Sequence, residues 1–112
     1  MTSTYIRMSR TSNVHVDTLV ETFGIRDARR RAVGYRCTIT CELWEADETS
    51  YSSWNPAYAG RPIWRVSPHA LRDGENYGAS LERKVCFSEE DARAVASKMI
   101  TAYRKKMTKQ FA

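Results

Sequence analysis

Two kinds of side chain in these 112 residues have types and spacings that could do chemistry: histidine beside carboxylate, and arginine in runs. His15 and Asp17 stand two apart, which would set both on one face of an extended segment, where a carboxylate can orient an imidazole for proton transfer. A solvated strand pair has the same spacing, and His69 is distant in sequence. Glu42 and Glu82 are candidate carboxylates across an open sheet face, but Arg65 opposite Glu82 gives that acid the plainer role of an ion-pair partner. The chain has no glycine-rich phosphate loop, no GxSxG elbow and no HExxH. Its two histidines and three cysteines lack the close-spaced pairs of a zinc site, so no catalytic residue, metal or cofactor is implied. The expectation is a binding protein rather than an enzyme.

The arginines suggest what is bound. The formal net charge is +5, and it is unevenly placed. Residues 1–36 carry Arg7, Arg10, Arg26, Arg29, Arg30, Arg31 and Arg36 against Asp17, Glu21 and Asp27. Residues 37–60 have no lysine or arginine, only Glu42, Glu45, Asp47 and Glu48, and basic character returns with Arg104, Lys105, Lys106 and Lys109. Clustered positive charge points to a polyanionic partner: nucleic acid, or a complex that handles it. Arg29, Arg30 and Arg31 at a hairpin tip would reach a groove or a phosphate, and Arg104, Lys105 and Lys106 would add charge from a helix end. Arg36, Arg65 and Lys84, with Thr38, Thr40, Ser67 and Ser80, would offer donors from a sheet face, and Trp44 or Tyr51 would stack bases.

A second surface lies in the irregular stretch 46–60, ADETSYSSWNPAYAG. Tyr51, Trp54 and Tyr58 among serine, asparagine and alanine are residue types that anchor protein interfaces. That supports the alternative of a small protein-directed inhibitor or adaptor, such as a phage or mobile-element antagonist of a host complex. Trp54 folding back onto the domain is the structural counterpart of that reading.

These residues need elements to position them. From Val33 to Trp44 the chain alternates, Val33, Tyr35, Cys37, Ile39, Cys41 and Leu43 on one face and Gly34, Arg36, Thr38, Thr40, Glu42 and Trp44 on the other. Period-two alternation of that length predicts a half-buried strand. Val14 to Ile25 switches parity between Val16 and Leu19, which implies a bulge or bend in a first strand, the preferred reading, or a short helical turn, and Asp27 suits the turn that follows. Residues 1–13 are polar and read as a mobile lead-in to a single domain at 14–112. Asp73-Gly74 between extended runs predicts a two-residue hairpin. Its register would face Val66 with Leu81, Arg65 with Glu82 and Trp64 with Arg83, a cation–π contact accommodating the last. Pro68 marks its strand as an edge or as bulged there.

Ser88 is a good N-cap, followed by the acids Glu89, Glu90 and Asp91. Ala92, Val95, Ala96, Met99, Ile100, Tyr103 and Met107 then form one apolar stripe of a helix ~30 Å long. The predicted fold is α+β: a four-stranded antiparallel meander of two hairpins with one long C-terminal helix packed on one face. That order of elements is shared in outline with PUR-type single-strand-binding repeats, and the span from Ile63 to Tyr103 with plant-type AP2 DNA-binding modules. The resemblance is one of element order, without a shared residue motif. No apolar run approaches the ~20 residues of a membrane span, and Met1 to Arg10 lack the apolar core of a secretory signal, so a cytoplasmic protein is expected. Cys37 and Cys41, four apart on one strand, lie roughly 13 Å apart, too far for a disulfide. The oligomeric state stays open.

Overall fold

The computed structural model of the chain describes residues 5–79 and 81–112. Its axis is a long antiparallel pair, β1 (Ile6–Arg26) and β2 (Ala32–Ala46). β3 (Ser53–Trp54) pairs the start of β1, and β4 (Pro62–Arg72) pairs the other side of β2. Two short strands, β5 (Glu75–Asn76) and β6 (Lys84–Cys86), both pair β4. The helix α1 (Glu89–Phe111) starts where expected, with the Ser88 hydroxyl accepting the Asp91 N–H at 3.1 Å. The class is therefore α+β, an antiparallel sheet with one long C-terminal helix, but among the described residues the sheet has six strands rather than four. Among the described residues no helix is long and apolar enough to cross a membrane.

The main core lies between α1 and one sheet face. Tyr35, Cys37, Ile39 and Val66 meet Ala92, Ala96 and Ile100, flanked by Leu19, Phe23, Trp64, Met99 and Tyr103. The predicted alternation of β2 therefore places Val33 through Ile39 under the helix. Past Ile39 the burial inverts: Cys41 and Leu43 are half-exposed, whereas Glu42 is 2 % exposed. The strand still alternates; what changes is which face has cover. Here the segment after β2 returns over the face opposite α1, which carries Met8 and Ile63, both fully buried, and Trp44. Residues 6–13, expected to be a mobile lead-in, are for that reason ordered strand; residues 1–4 of that lead-in lie outside the described residues.

The parity switch in β1 is a bulge. Its register against β2 slips between His15 and Asp17, leaving Val16 as the extra residue, and slips again near Arg10 and after Thr22. The Asp73-Gly74 hairpin forms with both residues at positive φ, and Arg72 faces Glu75 as predicted. Its pairing fails beyond the Tyr77 N–H to Ala70 carbonyl bond. It resumes three residues out of step, with Val66 facing Lys84, Arg65 facing Val85 and Trp64 facing Cys86. Pro68 lies in the gap, with no N–H to offer a ladder, and Gly78 at φ 75° turns the chain away. An odd slip inverts the faces. Cys86 turns inward, Leu81 sits in the loop at 38 % exposure, Arg83 is exposed away from Trp64, and Arg65 does not meet Glu82.

A candidate polyanion-binding end

Asp27 organises the turn between β1 and β2. One carboxylate oxygen accepts the N–H groups of Arg29 and Arg31, both at 2.9 Å, and the other accepts Arg31 Nε at 2.8 Å and Arg72 Nε at 3.2 Å. Burial alone would raise its pKa, but the Arg31 and Arg29 hydrogen bonds outweigh that and hold the carboxyl below its usual range. Arg72, itself buried, donates to Tyr103 Oη at 3.1 Å and lies 3.7 Å from Met107 Sδ near the end of α1. Asp73 accepts the Ala32 N–H at 2.8 Å, fastening the next turn alongside. Arg31 and Arg72 also lie over the ring of Tyr77, at 4.9 and 4.3 Å.

These contacts bolt the β1–β2 turn, the β4–β5 turn and the last turns of α1 into one end of the molecule. The two basic runs, more than seventy positions apart in sequence, therefore lie at the same end of the molecule. Arg29, Arg30, Lys105, Lys106 and Lys109 are exposed there, and among the described residues none of the five pairs with a carboxylate. Arg31 and Arg104 share the end but are engaged, by Asp27 and Glu21 respectively. Tyr77 is a half-exposed ring at this end, although the uninterrupted Asp73-Gly74 register would set it on the same face as Leu81. Its place follows from the hairpin's slip, and no local signal announces it.

The other predicted donors are dispersed. Arg36, on the face opposite α1, donates to Asn76 Oδ1. Arg65 is locked onto Glu42, with Nε and Nη2 at 2.9 and 3.2 Å from its carboxylate oxygens. Glu42 also accepts Trp44 Nε1 at 2.8 Å and the Thr40 hydroxyl at 3.2 Å, with an Arg10 nitrogen at 3.9 Å. Burial pushes the Glu42 pKa up, but the hydrogen bonds from Arg65 and Trp44 win, and it stays below the ordinary value. Lys84 is 3.6 Å from Glu82 on the outer strand β6. Thr38 and Ser67 are half-buried on the sheet face, and Ser80 lies outside the described residues. Trp44 lies between Arg10, 6.0 Å over its ring, and Trp54, at 5.5 Å, so its faces are occupied rather than open to bases.

In the aromatic segment, Trp54 folds back as the structural alternative had it, half-buried against Trp44 with Arg65 5.8 Å over its ring. Tyr58 is half-buried beside Phe87 at 5.9 Å. Tyr51 is fully exposed, at 105 %.

The histidine–aspartate pair does not form. The bulge at Val16 places His15 opposite Thr40 and Asp17 opposite Ile39, on different faces. His15 Nε2 is 2.7 Å from the Thr18 hydroxyl, while Asp17 pairs with Arg93 on α1 at 2.7 Å. The Arg93 hydrogen bond, aided by the Thr18 N–H, holds Asp17 below the usual carboxylate range. His69 faces Arg36, four residues along β2 from Thr40. Among the described residues no three histidine, cysteine or acidic side chains gather as metal ligands. No protein-family model matches the chain, and neither a curated protein nor a solved structure matches it.

Proposed function

We propose that this chain is a non-enzymatic binding protein whose basic end engages nucleic acid, alone or within a complex that handles it. The observation that carries this is that Arg29 and Arg30 share one end of the molecule with Lys105, Lys106 and Lys109, none of the five neutralised by a carboxylate among the described residues. Exposed cations grouped on one end attract a phosphate backbone and release its counterions. The half-exposed Tyr77 ring already carries the Arg31 and Arg72 guanidiniums over it, so the reading rests on the cations and not on base stacking. The test is fluorescence anisotropy with labelled single-stranded and duplex oligonucleotides across a salt series. Log affinity is expected to fall linearly with log salt, by roughly 0.7–0.9 per phosphate neutralised. R29A/R30A/K105A/K106A is expected to flatten that slope by about 3, if each side chain holds one phosphate. Absence of any DNA or RNA binding at low salt removes the reading.

One observation favours a second reading. Tyr51 is a fully exposed aromatic ring on a loop otherwise tied down by Asp47, Ser50 and Asn55. An exposed tyrosine a few residues from the acids Asp47 and Glu48 suits a protein partner, as an inhibitor or adaptor would need. Tyr51→Ala would then abolish capture of that partner and leave oligonucleotide anisotropy unchanged.

A further inference from the structure

We infer that the polyanion taken by the basic end is a double helix, held by its two phosphate rows and not by its bases. The inference rests on the nucleic-acid reading above and narrows it to one class of partner. Its basis is how the cations are mounted. Arg29 and Arg30 stand on the β1–β2 turn, and Lys105, Lys106 and Lys109 stand on the last turns of α1. One buried guanidinium joins the two mounts. Arg72 donates through Nε to Asp27 in the turn, and its Nη atoms reach Tyr103 Oη and Met107 Sδ on the helix. Asp27 also takes the N–H groups of Arg29 and Arg31, so the backbone that carries the arginines is fastened to the same anchor. The end therefore presents two sets of cations on rigid supports, placed relative to each other before any ligand arrives.

A double helix is the complement of that arrangement. It carries its charges in two rows at fixed spacing, with one charge per ~1.7 Å of axis, about twice the density along either of its strands. A single strand has one row of adjustable spacing, and proteins that take it add aromatic platforms on which bases stack. The rings at this end are engaged instead. Tyr77 carries Arg31 and Arg72 at 4.9 and 4.3 Å, and Phe23 carries Arg104 at 5.6 Å with Tyr103 at 6.1 Å. Tyr35 is buried and stacked on Tyr103, and Phe111, the last residue of α1, is half-buried. The fully exposed ring of Tyr51 belongs to the far end, on the loop that Ser50 ties to the Met8 carbonyl. The negative pole of α1 opposes an anion here, but by roughly half a charge against three lysines.

Fluorescence anisotropy of the full chain tests this with a duplex of about 12 base pairs and a single strand of about 24 nucleotides, which carry nearly equal numbers of phosphates. Each is made once as DNA and once as RNA. The duplex is expected to bind roughly 10-fold tighter than the single strand in at least one of the two chemistries, which identifies the source of the rows. R29A/R30A and K105A/K106A should each lower the duplex salt slope by about 1.8, one side chain holding one phosphate. Phe111→Leu, which keeps an apolar side chain but removes the ring, should leave duplex affinity within about 2-fold of wild type. Three results would each overturn the proposal and leave the nucleic-acid reading standing: single strands bound as tightly as duplexes in both chemistries, a duplex slope that either charge pair leaves unchanged, or a ~10-fold loss of duplex affinity in Phe111→Leu. Absence of binding to all four probes removes the nucleic-acid reading, and the proposal with it.

Discussion

Glu42 and Asp27 are each buried and each hold two arginines, so a change of one functional group tests what they anchor. Glu42→Gln removes the charge that neutralises the largely buried Arg65, and should destabilise the protein by about 2–3 kcal/mol in urea unfolding, against near-zero for an exposed acid such as Glu90. Both carboxyls are held below their ordinary pKa in the folded state. Their stabilisation is therefore complete above the ordinary carboxylate range and is lost as pH falls through the folded values. The melting temperature should be level near neutrality and fall once pH drops below ~4; a rise on acidification would contradict the assignment. The cysteines give a second residue-scale prediction. Burial pushes the Cys37 thiol up to about 11, and raises Cys41 and Cys86 as well. Native alkylation near neutral pH should spare Cys37 and Cys86, with the half-exposed Cys41 modified first, and all three should react after denaturation. Which carboxylate would find which arginine was not legible in the sequence. Arg65 was expected opposite Glu82 and lies instead on Glu42, two strands being needed to bring them together.

Among the elements, alternation in β2, the Ser88 cap, the stripe on α1 and the Asp73-Gly74 turn were all legible, because each is set by neighbours within a few residues. The bulge in β1 was legible as a parity switch, yet its effect on His15 and Asp17 followed only from knowing that Val16 is the extra residue. Pro68 was visible as a weak point. How many residues would loop out beside it was not, and that number decided every face beyond Tyr77. Trp54 belongs to this scale too, since the return of the 46–60 segment onto the sheet depends on it. Trp54→Ala should destabilise the protein by about 2 kcal/mol, less than a fully buried tryptophan because the ring is half-exposed. That corresponds to a melting temperature lower by roughly 10 °C. Tyr51→Ala should leave it unchanged.

At the scale of the molecule, 50 × 26 × 25 Å, charge is polarised along the β1–β2 ribbon. Glu45, Asp47 and Glu48 lie with Arg7 and Arg10 at the end where β2 runs into the aromatic segment, so acids and bases are mixed there, whereas the arginines of the opposite turn lie with the helix C-terminus. A polyanion should therefore approach end-on, and binding should depend on position as well as on charge count. R29A/R30A should weaken oligonucleotide binding more than R61A/R83A, two exposed cations outside the basic end, although each double variant removes two charges. Equal losses from the two would mean that net charge alone drives association.

The chain's own order of residues determined its class, its long alternating strand, its capped helix and the two basic runs, because periodicity and capping act over one turn or one pleat. The tertiary structure alone decided which sheet face is covered at each height, that the runs share one end, and that His15 and Asp17 part. Those outcomes depend on contacts between residues dozens of positions apart, such as Asp27 with Arg72 and Arg72 with Met107, and on single-residue slips that local patterns do not count.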